Sequence, residues 1–234
     1  MNFKMQGLEN VRLRLEKACR EAGRDPGSVT LLAVGKRHPS DALRAVHAQG
    51  QRDFGENEVQ EALDKQEQLS DLDIRWHFIG TVQSNKTRKL AEHFDWVQSV
   101  DRAKVLKRLS GQRPAQSGPL NICLQVNIDH EPQKSGLEPA LLDDMAELAR
   151  SLPRIRLRGL MCIPRATDDK EAVRDSFRRT RSLYDGLCRK GFDLDTLSMG
   201  MSADLELAVL EGSTMVRVGT DIFGPRNQES TPGL

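Results

Sequence analysis

Leu197-Ser198-Met199-Gly200-Met201-Ser202 and, one short helical segment later, Met215-Val216-Arg217-Val218-Gly219-Thr220 decide how this chain folds. Each is a brief apolar run that stops at glycine and small hydroxyl residues, the pattern of a strand ending in a tight turn. Reading outward, the same alternation recurs along the chain. Strands are expected over 30–35, 53–55, 75–80, 95–100, 121–128, 156–163, 197–200 and 215–219, and helices over 41–48, 59–69, 85–93, 104–110, 141–152, 172–187 and 205–210. Strand-helix alternation implies a parallel sheet. Eight repeats in 234 residues fit a closed barrel, whereas an open doubly wound sheet usually has fewer strands. The expected fold is α/β, a single (β/α)8 TIM barrel.

An extra helix leads the barrel. Leu8, Val11, Leu15 and Cys19 share one face of 1–23, with Glu9, Glu16 and Glu21 among the basic residues, which marks an amphipathic helix and not a signal peptide. No composition break divides the chain, so 1–224 is expected to be one domain and 225–234, with Pro225, Pro232 and Gly233, a flexible tail. A surface loop is expected over 111–119.

Charge and composition exclude several classes of function. Lys+Arg 35 against Asp+Glu 34 leaves a net charge of +1, which gives no electrostatic case for nucleic acid or an acidic membrane. The basic run Asn85-Lys86-Thr87-Arg88-Lys89 reads as a solvated helix start without function. No apolar run approaches the ~20 residues of a membrane span. Cys19, Cys123, Cys162 and Cys188 are far apart and the five histidines lack ligand spacing, so neither disulfides nor a metal site is expected. A soluble, cytoplasmic protein and a monomer are the expectations.

Active sites of such barrels lie at the C-terminal rim, and phosphate sites recur in the loops after strands seven and eight. Those loops are the two segments quoted at the outset. Ser202 reads as an N-cap for 203–210, and Gly219 and Thr220 supply further backbone donors. Taken singly, each glycine permits a turn and Ser202 caps a helix; together they form an anion cradle. Lys36 ends the first strand, the neighbour of the eighth across barrel closure, so Lys36 and Arg217 are expected close together and buried. Burial and a neighbouring cation both lower a lysine pKa and free a neutral amine to form a Schiff base with a carbonyl. A lone strand-end lysine would snorkel to water; a phosphate site beside it changes that reading.

A carbonyl compound bearing a phosphate points to pyridoxal 5′-phosphate (PLP). Its aldehyde would join Lys36, its phosphate would rest on Ser202, Gly219 and Thr220, and Arg217 would face the pyridine nitrogen, a place held by Asp or Arg in known sites. Arginine stays charged, so it donates to a neutral ring nitrogen and cannot protonate it. Vigorous carbanion chemistry is thereby disfavoured.

These residues resemble the pyridoxal phosphate homeostasis proteins, relatives of the N-terminal barrel of alanine racemase. The resemblance is carried by Leu31-Leu32-Ala33-Val34-Gly35-Lys36, Phe54-Gly55-Glu56-Asn57, Trp76-His77-Phe78-Ile79-Gly80, Lys134-Ser135-Gly136, Arg158-Gly159-Leu160-Met161, 198–202 and 217–224, which cover nearly the whole chain. It implies PLP held as an aldimine on Lys36, with Asn57 near the ring, Ser202, Gly219 and Thr220 at the phosphate and Arg217 at the nitrogen. Lys134 corresponds to a second family lysine. The implied role is a carrier or buffer in PLP homeostasis, without robust catalysis, that passes cofactor to apo PLP-enzymes. The tail departs from the family pattern by lacking Tyr and Lys.

Two other functions compete. An amino-acid racemase needs a base on each face of the substrate carbon, in relatives Lys and a Tyr from another domain. The single tyrosine, Tyr184, lies on the stripe of Val173, Phe177, Thr180 and Leu187 and reads as core, and His77 is left as a base candidate that reads better as structural. A Schiff-base aldolase acting on a sugar phosphate through Lys36 is the other, and Arg217 argues against it.

Overall fold

The computed structural model describes residues 3–225, so the expectation for the tail, 226–234, lies outside the described residues, as do Met1 and Asn2. Eight strands alternate with helices in the expected order: α1 (Phe3–Glu21), β1 (Thr30–Val34), α2 (Ser40–His47), β2 (Asp53–Glu56), α3 (Val59–Gln68), β3 (Arg75–Phe78), α4 (Thr87–His93), β4 (Trp96–Val100), α5 (Ala103–Gln112), β5 (Leu120–Val126), α6 (Leu142–Ser151), β6 (Ile155–Cys162), α7 (Lys170–Arg189), β7 (Thr196–Ser198), α8 (Leu205–Leu210), β8 (Met215–Val218) and α9 (Thr220–Phe223). Each strand pairs in parallel with the next, and β8 closes on β1 with Leu32 opposite Arg217 and Ala33 opposite Val218.

Two kinds of interior follow from the period-two alternation of strand side chains. Outward-facing Leu31, Ala33, Phe54, Phe78, Val97, Leu197, Val216 and Val218 join the helices in one large apolar core. Phe78 and Phe94 meet edge to face at 5.6 Å within it. Leu8, Val11, Leu15 and Cys19 of α1 are buried, the stripe that the helical spacing predicts, and Ala18 is buried beside them. The alternate strand positions fill the barrel itself with a mixed set: Leu32, His77, Trp96, Gln98, Cys123, Met161, Ser198, Met215 and Arg217, all buried. Polar atoms in such a place must find partners in one another.

The 111–119 segment differs from the expected surface loop. Helix α5 runs on to Gln112, and Arg113 is buried, its guanidinium donating to the carbonyls of Ala91 (2.8 Å), Phe94 (2.7 Å), Gly118 (3.0 Å) and Ser117 (3.1 Å). A buried arginine ringed by carbonyls ties the ends of two helices together, a contact that hydropathy alone conceals.

Candidate cofactor site

A cavity of about 780 Å³ opens at the C-terminal ends of the strands, and Lys36, Asn57, Ser202, Arg217, Gly219 and Thr220 all line it. Lys86 and Lys134 line it as well, Lys86 coming from the basic run that sequence alone leaves without a role. Four cationic side chains around one cavity favour an anionic guest.

Lys36 does not continue β1. The strand ends at Val34, the chain turns, and Arg37 takes a left-handed φ of 61°. Lys36 is half-buried in this turn, and the register sets Arg217 beside Leu32, deeper in the barrel, so the expected side-by-side burial gives way to two cations at different depths of one cavity. The turn is held from α3. Lys65 Nζ donates to the carbonyl of Gly35 at 2.8 Å, and Glu61 Oε1 accepts the N–H of Arg37 at 2.6 Å. Lys65 also donates to Glu56 Oε1 at 2.8 Å and Glu61 Oε1 at 2.7 Å. Burial pushes the Glu56 carboxyl up to about 7, the Lys65 ammonium opposing that rise and the Glu61 carboxylate adding to it. Glu56 Oε2 has no hydrogen-bond partner among the described residues.

Arg217 is 4 % exposed, and among the described residues no carboxylate is hydrogen-bonded to its guanidinium. Nη1 donates to Ser198 O and Ser198 Oγ, both at 2.7 Å, and Nη2 donates to Cys162 O at 2.9 Å. Burial lowers its pKa, yet an arginine starts so high that it keeps its charge. Below it runs a chain of buried polar groups. Ser198 Oγ donates to Gln98 Oε1 (2.6 Å), Gln98 Nε2 donates to His77 Nδ1 (2.9 Å), and His77 Nε2 donates to Asp53 Oδ1 (3.1 Å). Arg75 closes the chain with two bonds of 2.7 Å to the Asp53 carboxylate. Burial opposes the Asp53 charge, but the bonds from Arg75 and His77 hold its carboxyl below the usual range. Burial lowers the His77 pKa, and its ring stacks on Trp96 at 5.1 Å. His77 is thus a neutral structural histidine outside the cavity lining, as its sequence context indicates.

The two turns after β7 and β8 supply the anion cradle, with one correction. Ser202 does not cap the following helix: α8 starts at Leu205 with Asp204 at the N-cap position. Asp204 wins because its carboxylate accepts the N–H of Met201 at 2.5 Å and its own N–H returns to Met201 O at 3.1 Å, closing the turn one step later. Ser202 keeps its place at the cavity, and the backbone N–H groups of Ser202, Ala203, Gly219 and Thr220 have no protein acceptor among the described residues. Unsatisfied donors gathered beside cations fit a phosphate.

Of the remaining candidates, Tyr184 falls outside the cavity and Lys134 lies on its rim. Tyr184 donates its hydroxyl to Leu194 O at 2.8 Å, and burial pushes that phenol up to about 12. Lys134 donates to Pro164 O at 2.9 Å and pairs with Glu131 at the rim. No group of three or more His, Cys, Asp and Glu among the described residues can hold a metal. Sequence reasoning missed Gln98, Ser198, Glu61 and Lys65. Gln98 and Ser99 stand out in hindsight as amides and hydroxyls inside a fully buried strand, Trp96–Val100.

The alanine racemase N-terminal domain family matches residues 8–227. A pyridoxal phosphate homeostasis protein of Pseudomonas aeruginosa is 54% identical over 222 residues, 95% of this chain and 95% of that one. One of Escherichia coli K12 is 45% identical over 230 residues, 97% of this chain and 98% of its own. Among solved structures, PipY of Synechococcus elongatus with PLP bound superposes with a TM-score of 0.79 at 41% identity, covering 90% of this chain and 99% of that one. With the closed eight-stranded barrel, these likenesses mean that the chain belongs to the pyridoxal phosphate homeostasis proteins, within the alanine racemase N-terminal domain family.

Proposed function

We propose that this chain holds PLP in the rim cavity and serves PLP homeostasis in the cytoplasm as a carrier or buffer without robust catalysis of its own, passing the cofactor to apo-enzymes. The observation that carries this reading is one cavity lined by an amine, Lys36, by a guanidinium, Arg217, and by two turns of N–H groups, with no carboxylate bonded to the guanidinium and no acceptor for those N–H groups among the described residues. When bound, PLP supplies an aldehyde that condenses with an amine and a ring that withdraws electrons from it.

The protein's own groups do the rest. Lys36 offers its amine from a turn held on both sides by α3, so the nucleophile has a fixed approach. Ser202, Gly219 and Thr220 donate to the phosphate, and Asn57 borders the ring. Three of the five Arg217 donors are taken by Ser198 and Cys162, which leaves two for a neutral ring nitrogen. A guanidinium there keeps that nitrogen unprotonated, and carbanions next to the bound amine stay poorly stabilised. Tyr184 is committed to Leu194, so it is not available as the second base of a racemase. Cys19, Cys123, Cys162 and Cys188 are all free thiols, in keeping with a reducing compartment.

The test is spectroscopic and chemical. Purified protein should be yellow, lose that colour on borohydride treatment and carry the cofactor mass on Lys36. Lys36→Ala should lose the covalent mass while keeping weak, phosphate-anchored binding. Full loading of that variant would move the assignment to another lysine such as Lys134. Rapid interconversion of amino-acid enantiomers would replace the carrier with a racemase, and failure to reactivate an apo-enzyme would remove the carrier role.

A further inference from the structure

The back of the anion cradle is gripped by a residue from the opposite end of the sequence. Helix α1 lies so close to α9 that a Cβ on Gly7 would stand 2.6 Å from the carbonyl oxygens of both Asp221 and Ile222. Only glycine permits that approach. Two turns along α1, Arg14 spreads its guanidinium over both halves of the cradle. Nη2 donates to the carbonyl of Ser202 at 2.9 Å, Nε to Glu206 Oε1 at 2.7 Å, and Nη1 to the carboxylate of Asp221. Ser202 belongs to the turn after β7, Glu206 to α8, and Asp221 directly follows Thr220 at the start of α9, the helix that leaves the turn after β8. One side chain therefore spans both donor turns from outside.

The geometry of the peptide bond gives this grip a consequence inside the cavity. In a trans peptide the C=O and the following N–H point in opposite directions. Drawing the Ser202 carbonyl toward Arg14 turns the Ala203 N–H the other way, and Ala203 lines the cavity with that N–H lacking a protein acceptor among the described residues. Glu206 and Asp221 hold the guanidinium in place, and their hydrogen bonds raise the Arg14 pKa further.

We propose that Arg14 is a positioning residue for the phosphate end of the ligand: it presets the spacing and orientation of the two donor turns, so that less ordering is left to the moment of binding. The proposal rests on reading the cavity as the PLP site. Because Arg14 acts on the phosphate end alone, its loss should be felt by PLP and not by pyridoxal, which has the same ring and aldehyde without the phosphate.

The experiment compares apo wild type, Arg14→Ala, Arg14→Lys and, as a control on the same helix, Arg12→Ala, whose guanidinium reaches only Gln49 O at 2.9 Å among the described residues. Each is titrated with PLP and with pyridoxal, and its melting temperature is followed in inorganic phosphate. Arg14→Ala should weaken PLP about tenfold, leave pyridoxal within about twofold and lose the phosphate-induced rise in melting temperature. Arg14→Lys should recover part of the PLP affinity, and Arg12→Ala should match wild type. Unchanged PLP affinity, or equal losses for PLP and pyridoxal, would overturn the assignment. Should Arg14→Ala fail to fold, Glu206→Gln and Asp221→Asn, each loosening one arm of the grip, must show the same selective loss or the proposal falls. A wild type that binds neither compound overturns the cofactor reading and this proposal with it, a result distinct from one in which wild type binds PLP and the variants do so equally well.

Discussion

Arg217 Nη1 and Ser198 Oγ are 2.7 Å apart, and that bond couples the cavity to a polar chain that reaches Arg75 at the N-terminal ends of the strands. Every donor along it points the same way, from Arg217 through Ser198, Gln98 and His77 to Asp53. The arrangement solves a problem of burial: a guanidinium removed from water needs acceptors, and a neighbouring carboxylate would have competed with any ligand for its remaining N–H groups. Two carbonyls and a hydroxyl satisfy it, and the Asp204 carboxylate acts on its charge only from a distance, without a hydrogen bond among the described residues.

Ser198→Ala should therefore strand both Gln98 Oε1 and an Arg217 N–H. Unmet buried hydrogen bonds of this kind cost about 1–3 kcal/mol, and a loose Arg217 should also lower PLP affinity. Urea unfolding together with a PLP titration checks both. A variant as stable as wild type would mean that the chain of bonds is dispensable.

Glu56 makes stability depend on pH in a defined direction. Its carboxyl is raised from 4.5 to about 7 in the folded chain, so between those values the folded state binds more protons than the unfolded one. The contribution is complete below the lower value and disappears as pH climbs through the upper one. Glu56→Gln cannot titrate, and its stability relative to wild type should improve by up to about 3 kcal/mol on going from pH 4.5 to above 7. Denaturation midpoints at several pH values test this; a difference that stays flat across the range would refute it.

Gly80 touches the site through its backbone. A Cβ there would lie 2.1 Å from the carbonyl oxygen of Asn57, a residue of the cavity wall. Gly80→Ala should displace Asn57, cost about 1–3 kcal/mol of stability and weaken PLP measurably. Gly111→Ala, where a Cβ meets nothing within 4 Å inside α5, is the matched control and should be neutral or slightly stabilising. Equal behaviour of the two variants in thermal melts and titrations would contradict this reading of Gly80.

The barrel was legible because local periodicity reports which face of each element is apolar, and eight strand-helix repeats leave few ways to bury those faces together. Five of the six candidates, Lys36, Ser202, Arg217, Gly219 and Thr220, could be placed on one cavity from strand ends and glycine turns, which have fixed positions in such a barrel, whereas Asn57 was suggested by the family resemblance alone. Other features read wrongly or not at all. Ser202 has the composition of a cap, but the nearby Asp204 closes the turn instead. Glu61 and Lys65 form an i,i+4 pair of the sort that decorates solvated helices, yet Lys65 is buried against Glu56 and Gly35.

By itself, then, the sequence determined the order of elements, the rim on which chemistry can be placed and the amine and guanidinium that line its cavity, since each follows from residues close together in the chain. Which groups hold those residues in position was decided only by tertiary structure. Ring closure brings Arg14 to Ser202 across 188 residues and Gln98 to Ser198 across 100, and no local pattern encodes which polar atoms will meet once water has been excluded from between them.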